Sequence, residues 1–317
     1  MIGFYAHHHG SGHLHRCRAI MRALDREAAL LSSDPSADVV LEDDAGAPPG
    51  DDVTAHGVWH HVPQQHDGLR RRMAQIAAWV GEHRPEAFYV DVSVEVAALV
   101  RLMGVPVITV AMPGVRDDAT HQLGYRQADA IIAPWPNWVP LPEHLREHGP
   151  RVHQVGGISR FTRAPEQEPE PGRVVVLAGQ GGTGWSARLW AAVEQACPDH
   201  DFTFLGGTGP VVADPLRHLA SAEVVVSAAG QNSVADIAVA DRPALILPQE
   251  RPFGEQAATA ALLDTASLAL VAPRFPEPGE WPRLLAAANA LDSRWIRWQT
   301  AGAAQRAADV IREVAVR

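Results

Sequence analysis

With 317 residues, 46% of them hydrophobic and 20% charged, the chain is globular and long enough for two domains of ordinary size. Its formal charge of −10 argues against a nucleic-acid binder, which usually carries a basic face. All 27 basic residues are arginine, which excludes a lysine Schiff base and a lysine-bearing phosphate loop.

Two cysteines, Cys17 and Cys197, form no disulfide framework and have no zinc-ligand spacing. Met1 leads directly into the apolar run Ile2-Gly3-Phe4-Tyr5-Ala6, which predicts a strand over 1–6 and no signal peptide. No run of about 18 apolar residues is present, so no transmembrane segment is expected. The expected location is the cytoplasm, with peripheral membrane contact left open.

"YAHHHGSGHLHRCRAI" (5–20) then crowds five histidines around Gly10 and Gly12. The glycines permit a tight turn, and a helix predicted over 13–30 would aim its unpaired first amides at an anion. His13 falls in the first turn of that helix, facing away from Leu14 and Ile20, which face the sheet. A neutral histidine there is placed to take a proton from a substrate hydroxyl. His7, His8, His9 and His15 are read as packing or shaping the pocket. Adjacent histidines on a strand point to opposite faces, which argues against a metal site in that cluster.

A short strand is predicted at 38–41, a long helix at 68–83 and a strand at 87–92. In "AFYVD" an apolar run meets a carboxylate, Asp91, at the strand's end. Two readings are open: Asp91 orients a histidine, or Asp91 and Ser93 cap the helix predicted at 94–103. Strands follow at 105–111 and 128–136. "RFTRAPEQEPEPGR" (160–173) is polar and rich in Pro and Glu, an exposed linker.

A second alternating series starts immediately after it. "RVVVLAGQGGTG" (173–184) is a buried strand running into a glycine-rich turn. A helix at 185–196, strands at 202–205 and 223–227, a helix at 231–240, a strand at 243–248 and a helix at 254–263 complete the series. The stretch from Pro282 is helical. Alternating strands and helices predict parallel α/β sheets, whose ligands bind beyond the carboxyl ends of the strands. "SAAGQNSVADIA" (227–238) turns at Gly230 and would aim the amides of Gln231, Asn232 and Ser233 at a phosphate, with Asp236 one turn on. "ALILPQERPFGEQ" then presents Glu250, Arg251, Glu255 and Gln256 to a hydroxylated ligand.

In their order these motifs resemble the GT-B glycosyltransferases, and within them the MurG-like branch, family 28. "GSGHLHR" resembles the glycine-histidine loop of that branch, and residues 227–263 resemble its donor-sugar signature. The resemblance implies two doubly wound Rossmann-like α/β domains facing a central cleft. An acceptor-binding domain would span 1–160, a linker 161–172 and a nucleotide-sugar-binding domain 173–317, with the terminal helix free to cross back.

The resemblance further implies sugar transfer from a nucleotide-diphosphate sugar to an unidentified acceptor hydroxyl, with inversion. His13 would be the base, oriented by Asp91. Gly230, Gln231, Asn232 and Ser233 would surround the pyrophosphate, and Asp236 would meet the ribose. Glu255 and Gln256 would meet the sugar, Gly181, Gly182, Thr183 and Gly184 the phosphates or acceptor, and backbone near Val212 the nucleobase. Gly12, Arg116, Asp117 and Trp135 would form the acceptor side. Trp135 and Trp138 would either stack on an aromatic or lipid acceptor or fold onto their own domain. No metal ion or other cofactor is implied, since helix dipole and amides neutralise the leaving diphosphate.

Two departures bear on donor geometry: Asp236 stands where the branch has Glu, and "SAAG" stands where it has Ser-Arg or Ser-Gly-Gly. "GHLHRC" is also close to the loop of a GT-B-like hydrolase that removes UDP from a diacetamido sugar, where the same histidine activates water. A non-catalytic sugar-nucleotide-binding subunit is a third reading, weakened because both halves stand in one chain.

Overall fold

The computed structural model describes residues 1–7, 11–46, 52–179 and 183–316. The first half contains β1 (Ile2–Ala6), α1 (Gly12–Ala23), β2 (Ala28–Ser32), β3 (Val39–Val40), α2 (Asp67–His83), β4 (Ala87–Asp91), α3 (Val94–Leu102), β5 (Val107–Val110), α4 (Ala119–Gln127), β6 (Ala130–Ala133) and β7 (Val152–Gln154). The second half contains β8 (Arg173–Leu177), α5 (Ala187–Ala196), β9 (Asp201–Leu205), α6 (Leu216–Ser221), β10 (Val224–Ser227), α7 (Gln231–Ala240), β11 (Ala244–Ile246), α8 (Glu255–Thr265), β12 (Leu270–Val271), α9 (Trp281–Asn289) and α10 (Ala303–Ala315).

The strands form two sheets, ordered β3-β2-β1-β4-β5-β6-β7 and β12-β11-β10-β8-β9. Every strand pair is parallel, as between Phe4 and Tyr89 in the first sheet and Val225 and Val175 in the second. Parallel strands need crossovers and are covered on both faces, so their sequences run apolar rather than alternating. "IGFYA" and "AFYVD" are buried throughout. The predicted architecture of two doubly wound α/β domains is present.

The helix predicted over 13–30 is shorter than expected. It ends at Ala23, and residues 28–32 form β2, paired with β1. No Gly or Pro separates the two elements, and a short apolar run does not distinguish helix from buried strand by periodicity. The elements α4, β7, α6 and β12 were not expected either: each spans nine residues or fewer, too short for a periodic pattern to show.

The last helix packs on the first sheet rather than the second. Ala307, Ala308, Ile311 and Val314 are buried in one core cluster with Leu14, Cys17 and Ile20 of α1 and with Tyr89 and Ile132. Alanines at 307 and 308 let α10 approach α1 closely, and Arg306 anchors its start by donating from Nε to the Val155 carbonyl at 2.9 Å. Among the described residues no helix is long and apolar enough to cross a membrane.

Ile311 is fully buried, so Ile311→Ala is expected to destabilise the protein by about 2–5 kcal/mol, the cost of a buried cavity of that size. Urea unfolding of variant and parent checks this; a loss below about 1 kcal/mol would show that α10 adds little to the first core.

Candidate active site

The centre of the site is a carboxylate without solvent. Asp91 ends β4 with none of its side chain exposed, and Arg16 of α1, 2% exposed, grips it through two bonds of 2.7 Å from Nε and Nη2. Tyr89 OH donates to the same carboxylate at 3.2 Å. Burial alone would raise the Asp91 pKa, but the Arg16 guanidinium overrides it and holds the group below the usual carboxylate range. Burial and the Asp91 charge push the Tyr89 hydroxyl and Cys17 thiol up, so both stay protonated.

His13 completes the group, with Nδ1 2.7 Å from Asp91 Oδ1. Arg16 Nη2 stands 3.2 Å from the same nitrogen. The two contacts make opposite demands, because a guanidinium only donates and an ionised carboxylate only accepts. The shorter, charge-assisted contact decides: Nδ1 carries the proton toward Asp91. In the neutral ring the lone pair then lies on Nε2, which has no hydrogen-bond partner among the described residues. Ser93, not Asp91, caps α3, its Oγ accepting from Val96 N at 3.2 Å. Of the two sequence readings of Asp91, the contact with histidine is the one present.

His13 lines a cleft between the carboxyl ends of the two sheets, together with Gly12, Val212, Gly230, Asn232, Ser233, Gln256 and others. Two helices open onto it, α1 and α7. Neither has a side-chain cap or an acidic residue in its first turn, a state shared with α6, α9 and α10; what sets α1 and α7 apart from α9 and α10 is that both start at the cleft. Uncapped first amides of this kind can bind an anion. Across the cleft, Arg16 Nη1 donates to Gln231 Oε1 at 3.0 Å, and a Cβ on Gly12 would stand 2.3 Å from Asn232 Nδ2.

The remaining predicted residues divide. Asp236 lines the cleft, but Ser159 Oγ donates to Oδ1 at 2.6 Å and Arg160 Nε to Oδ2 at 3.1 Å. Burial raises its pKa, with Arg160 opposing. Thr183 Oγ1 accepts from Gln249 Nε2 at 2.9 Å, and Gly184 is exposed. Gly181 and Gly182, like His8 and His9, lie outside the described residues. Glu255 pairs with Arg116 at 3.2 Å, and the Arg116 guanidinium lies 4.7 Å over the Phe253 ring. Asp117 is exposed and does not line the cleft.

Trp135 requires a correction. Its ring is 4% exposed and packs among Tyr125, Val139 and Leu145, so it presents no face to an acceptor. Trp138 is spent on the protein too, its Nε1 donating to the Arg297 carbonyl at 2.7 Å. The prolines fold this segment onto protein, where two large apolar rings are better buried than left in water.

Sequence reading missed Arg16, Ser159 and Arg160. Arg16 stands three residues after His13, on the same helix face, and that spacing is its signal. Ser159 and Arg160, at the edge of the linker, have none. His60, Asp118 and His121 form the group of possible metal ligands among the described residues.

The similarity to solved structures is one of fold. The glycotransferase of kitacinnamycin matches with a TM-score of 0.67 at 16% identity, over 99% of this chain and 98% of that one. MurG of Acinetobacter baumannii gives 0.62 at 16%, over 98% and 99%. The UDP-GlcNAc 2-epimerase of Methanocaldococcus jannaschii gives 0.62 at 9%, over 98% and 99%. The sequence matches no protein-family model and no curated protein. The chain has the GT-B fold, two Rossmann-like domains facing a cleft, a fold these structures share across transferases and an epimerase.

Two expectations follow from the buried charges. Arg16→Ala would leave Asp91 buried without its counter-charge, and a loss of about 3–5 kcal/mol in urea unfolding is expected; an unchanged midpoint would remove the pair from the core's support.

The second concerns His15, whose Nε2 lies 3.3 Å from Arg160 Nη1. Burial, then the charges of Arg160, Arg18 and Arg22, lower its pKa from 6.5 to about 4. The unfolded chain then binds a proton below pH 6.5 that the folded protein refuses until about pH 4, so stability falls with pH across that window. Thermal melts between pH 7 and pH 4 should show a shallower decline in His15→Gln than in the parent. Equal slopes would exclude His15 as a contributor.

Proposed function

We propose that the protein is a glycosyltransferase that moves a sugar from a nucleoside diphosphate sugar to an acceptor hydroxyl, with inversion. The observation that carries this reading is the His13–Asp91 pair, its free ring nitrogen set on one wall of a cleft whose other wall carries the uncapped start of α7. The GT-B fold supports it, being the fold of glycosyltransferases named above.

In this reading the second domain, 173–317, takes the donor. The diphosphate meets the amides of Gln231, Asn232 and Ser233 at the positive end of α7, which neutralise it as it leaves, without a metal ion. Glu255 and Gln256 meet the sugar, Val212 lies by the base, and Asp236 meets the ribose with the lone pairs that Ser159 and Arg160 leave. The first domain, 1–160, takes the acceptor, and residues 161–172 join the two.

His13 Nε2 removes the acceptor's hydroxyl proton. The oxygen then bonds to the anomeric carbon as the carbon–diphosphate bond breaks on the opposite side. Base and leaving group on opposite walls make the displacement in-line, and an in-line displacement inverts the carbon. Asp91 stabilises the imidazolium that forms, without taking its proton.

Mass spectrometry of nucleotide sugars incubated with candidate acceptors is the direct test. His13→Ala is expected to lose turnover by about 10²–10⁴-fold, the usual loss of a positioned base. Calorimetry should find donor affinity unchanged, because the donor contacts lie on the other domain. Turnover within threefold of the parent, on the order of 1 kcal/mol or less, would make His13 structural. Rapid His13-dependent release of nucleotide without any acceptor would overturn transfer in favour of hydrolysis.

A further inference from the structure

Away from the dyad, on the first domain, three metal-ligating side chains converge. The donor atoms of His60, Asp118 and His121 all lie within 4.8 Å of one another. His60 comes from the loop before α2, and Asp118 and His121 from the start of α4. We propose that these residues form a site for one divalent transition-metal ion of the zinc class, a role independent of the transfer chemistry.

The first support is an unsatisfied atom. His60 Nε2 is shut off from solvent and has no hydrogen-bond partner among the described residues. Asp118 Oδ1 stands 3.7 Å from it, too far for a hydrogen bond. The same separation suits two ligands of one ion. Donors about 2.0–2.2 Å from a tetrahedral centre stand about 3.4 Å apart. His121 closes the group, Nδ1 lying 2.6 Å from Asp118 Oδ2. On loading, the ion replaces the proton held between those two atoms, and that proton leaves to solvent.

The second support is that both segments are held together by bonds that do not involve the ligand atoms. Thr120 Oγ1 donates to the Val58 carbonyl at 3.1 Å, tying α4 to the chain just before His60. Glu95 Oε1 accepts from the backbone N–H of His60 at 2.7 Å and of His61 at 3.2 Å. Glu95 is itself fixed by Ser93 Oγ at 3.0 Å. The imidazole rings of His60 and His121 lie 4.3 Å apart, centre to centre. A site so prepared loses little conformational entropy on loading.

The ligand types choose the ion. Two imidazoles and one carboxylate suit zinc and its neighbours, whereas magnesium and calcium prefer oxygen throughout. Three protein ligands leave a fourth position for water. His60 and His121 line a small pocket with Met112, which also borders the main cleft, so the ion would stand beside the acceptor side. Its effect there is to pin the loop carrying His60 to α4.

The test is calorimetric titration of chelator-stripped protein with zinc chloride alone, in parent and variants. The parent is expected to bind one equivalent at this site. Losing a residue that merely orients a ligand costs about 10–100-fold in affinity, so His60→Ala and His121→Ala should each weaken binding by at least about 100-fold. Asp118→Asn, which keeps a capping oxygen for α4, should weaken it too, and circular dichroism without metal confirms that each variant is folded. Cobalt(II) should show visible ligand-field absorption in the parent and lose it in His60→Ala. The triple variant of His7, His8 and His9 to Ala should bind zinc like the parent. No zinc binding by the parent, unchanged affinity in His60→Ala, or loss only in the N-terminal triple variant would overturn the proposal. Calorimetry of donor binding on the stripped protein is a separate readout, expected to be unchanged.

Discussion

One ionised carboxylate in a dry interior constrains most of what surrounds the cleft. Asp91 cannot lie buried at the end of β4 without a counter-charge, and a guanidinium in bidentate contact is the side chain that supplies both charge and matching geometry. Arg16 in turn must come from α1, the helix that follows the neighbouring strand, β1. That requirement fixes the rotation of α1 and so delivers His13, one turn earlier, to the carboxylate oxygen Oδ1 that Arg16 Nη2 also holds. The tautomer of His13 is then a consequence of the Asp91 charge. The backbone bends sharply at this point: Val92, the next residue, takes φ +61°. A β-branched residue there costs on the order of 1–3 kcal/mol, which the packing around it must carry.

The same arginine reaches across the cleft to Gln231, so the buried charge also bears on how the domains face each other. A second clasp lies at the far side. Val115 N donates to the Phe253 carbonyl at 2.9 Å, and Arg116 pairs with Glu255. Gly114 sits at φ +92°, and a Cβ there would come within 2.1 Å of that carbonyl oxygen, so only glycine allows the approach. Ser159 and Arg160 fasten α7 through Asp236 where the chain leaves the first domain, and α10 returns to seal the first core. The contacts of Arg16, Arg116 and Arg160 lie along the cleft, and the packing of α10 lies in the first core away from it.

How far the site was legible follows from how local its causes are. The glycine turn before α1, the carboxylate ending β4 and the glycine turn before α7 are strand-end features, and in a parallel sheet all strand ends of one sense gather at one edge. Alternating strands and helices therefore placed His13, Asp91 and Gln231–Ser233 at one cleft before any contact was known. Arg16 had only its spacing from His13 as a signal, because an arginine on an amphipathic helix reads as solvated unless its partner is known, and that partner is 75 residues away. Trp135 misled for a related reason: a tryptophan among prolines looks like an exposed platform, and only the packing of Tyr125, Val139 and Leu145 shows that it is core.

The sequence by itself determined the α/β class, the two sheets and the strand ends that build the cleft, because those follow from periodicity and turn chemistry within a few residues. Tertiary structure alone decided the bounds of α1 and β2, the return of α10 to the first sheet and the capture of Asp236 by Ser159 and Arg160. It also decided the meeting of His60 with Asp118 and His121. Each of these depends on which distant surface is left uncovered, and a pattern along one chain does not encode that.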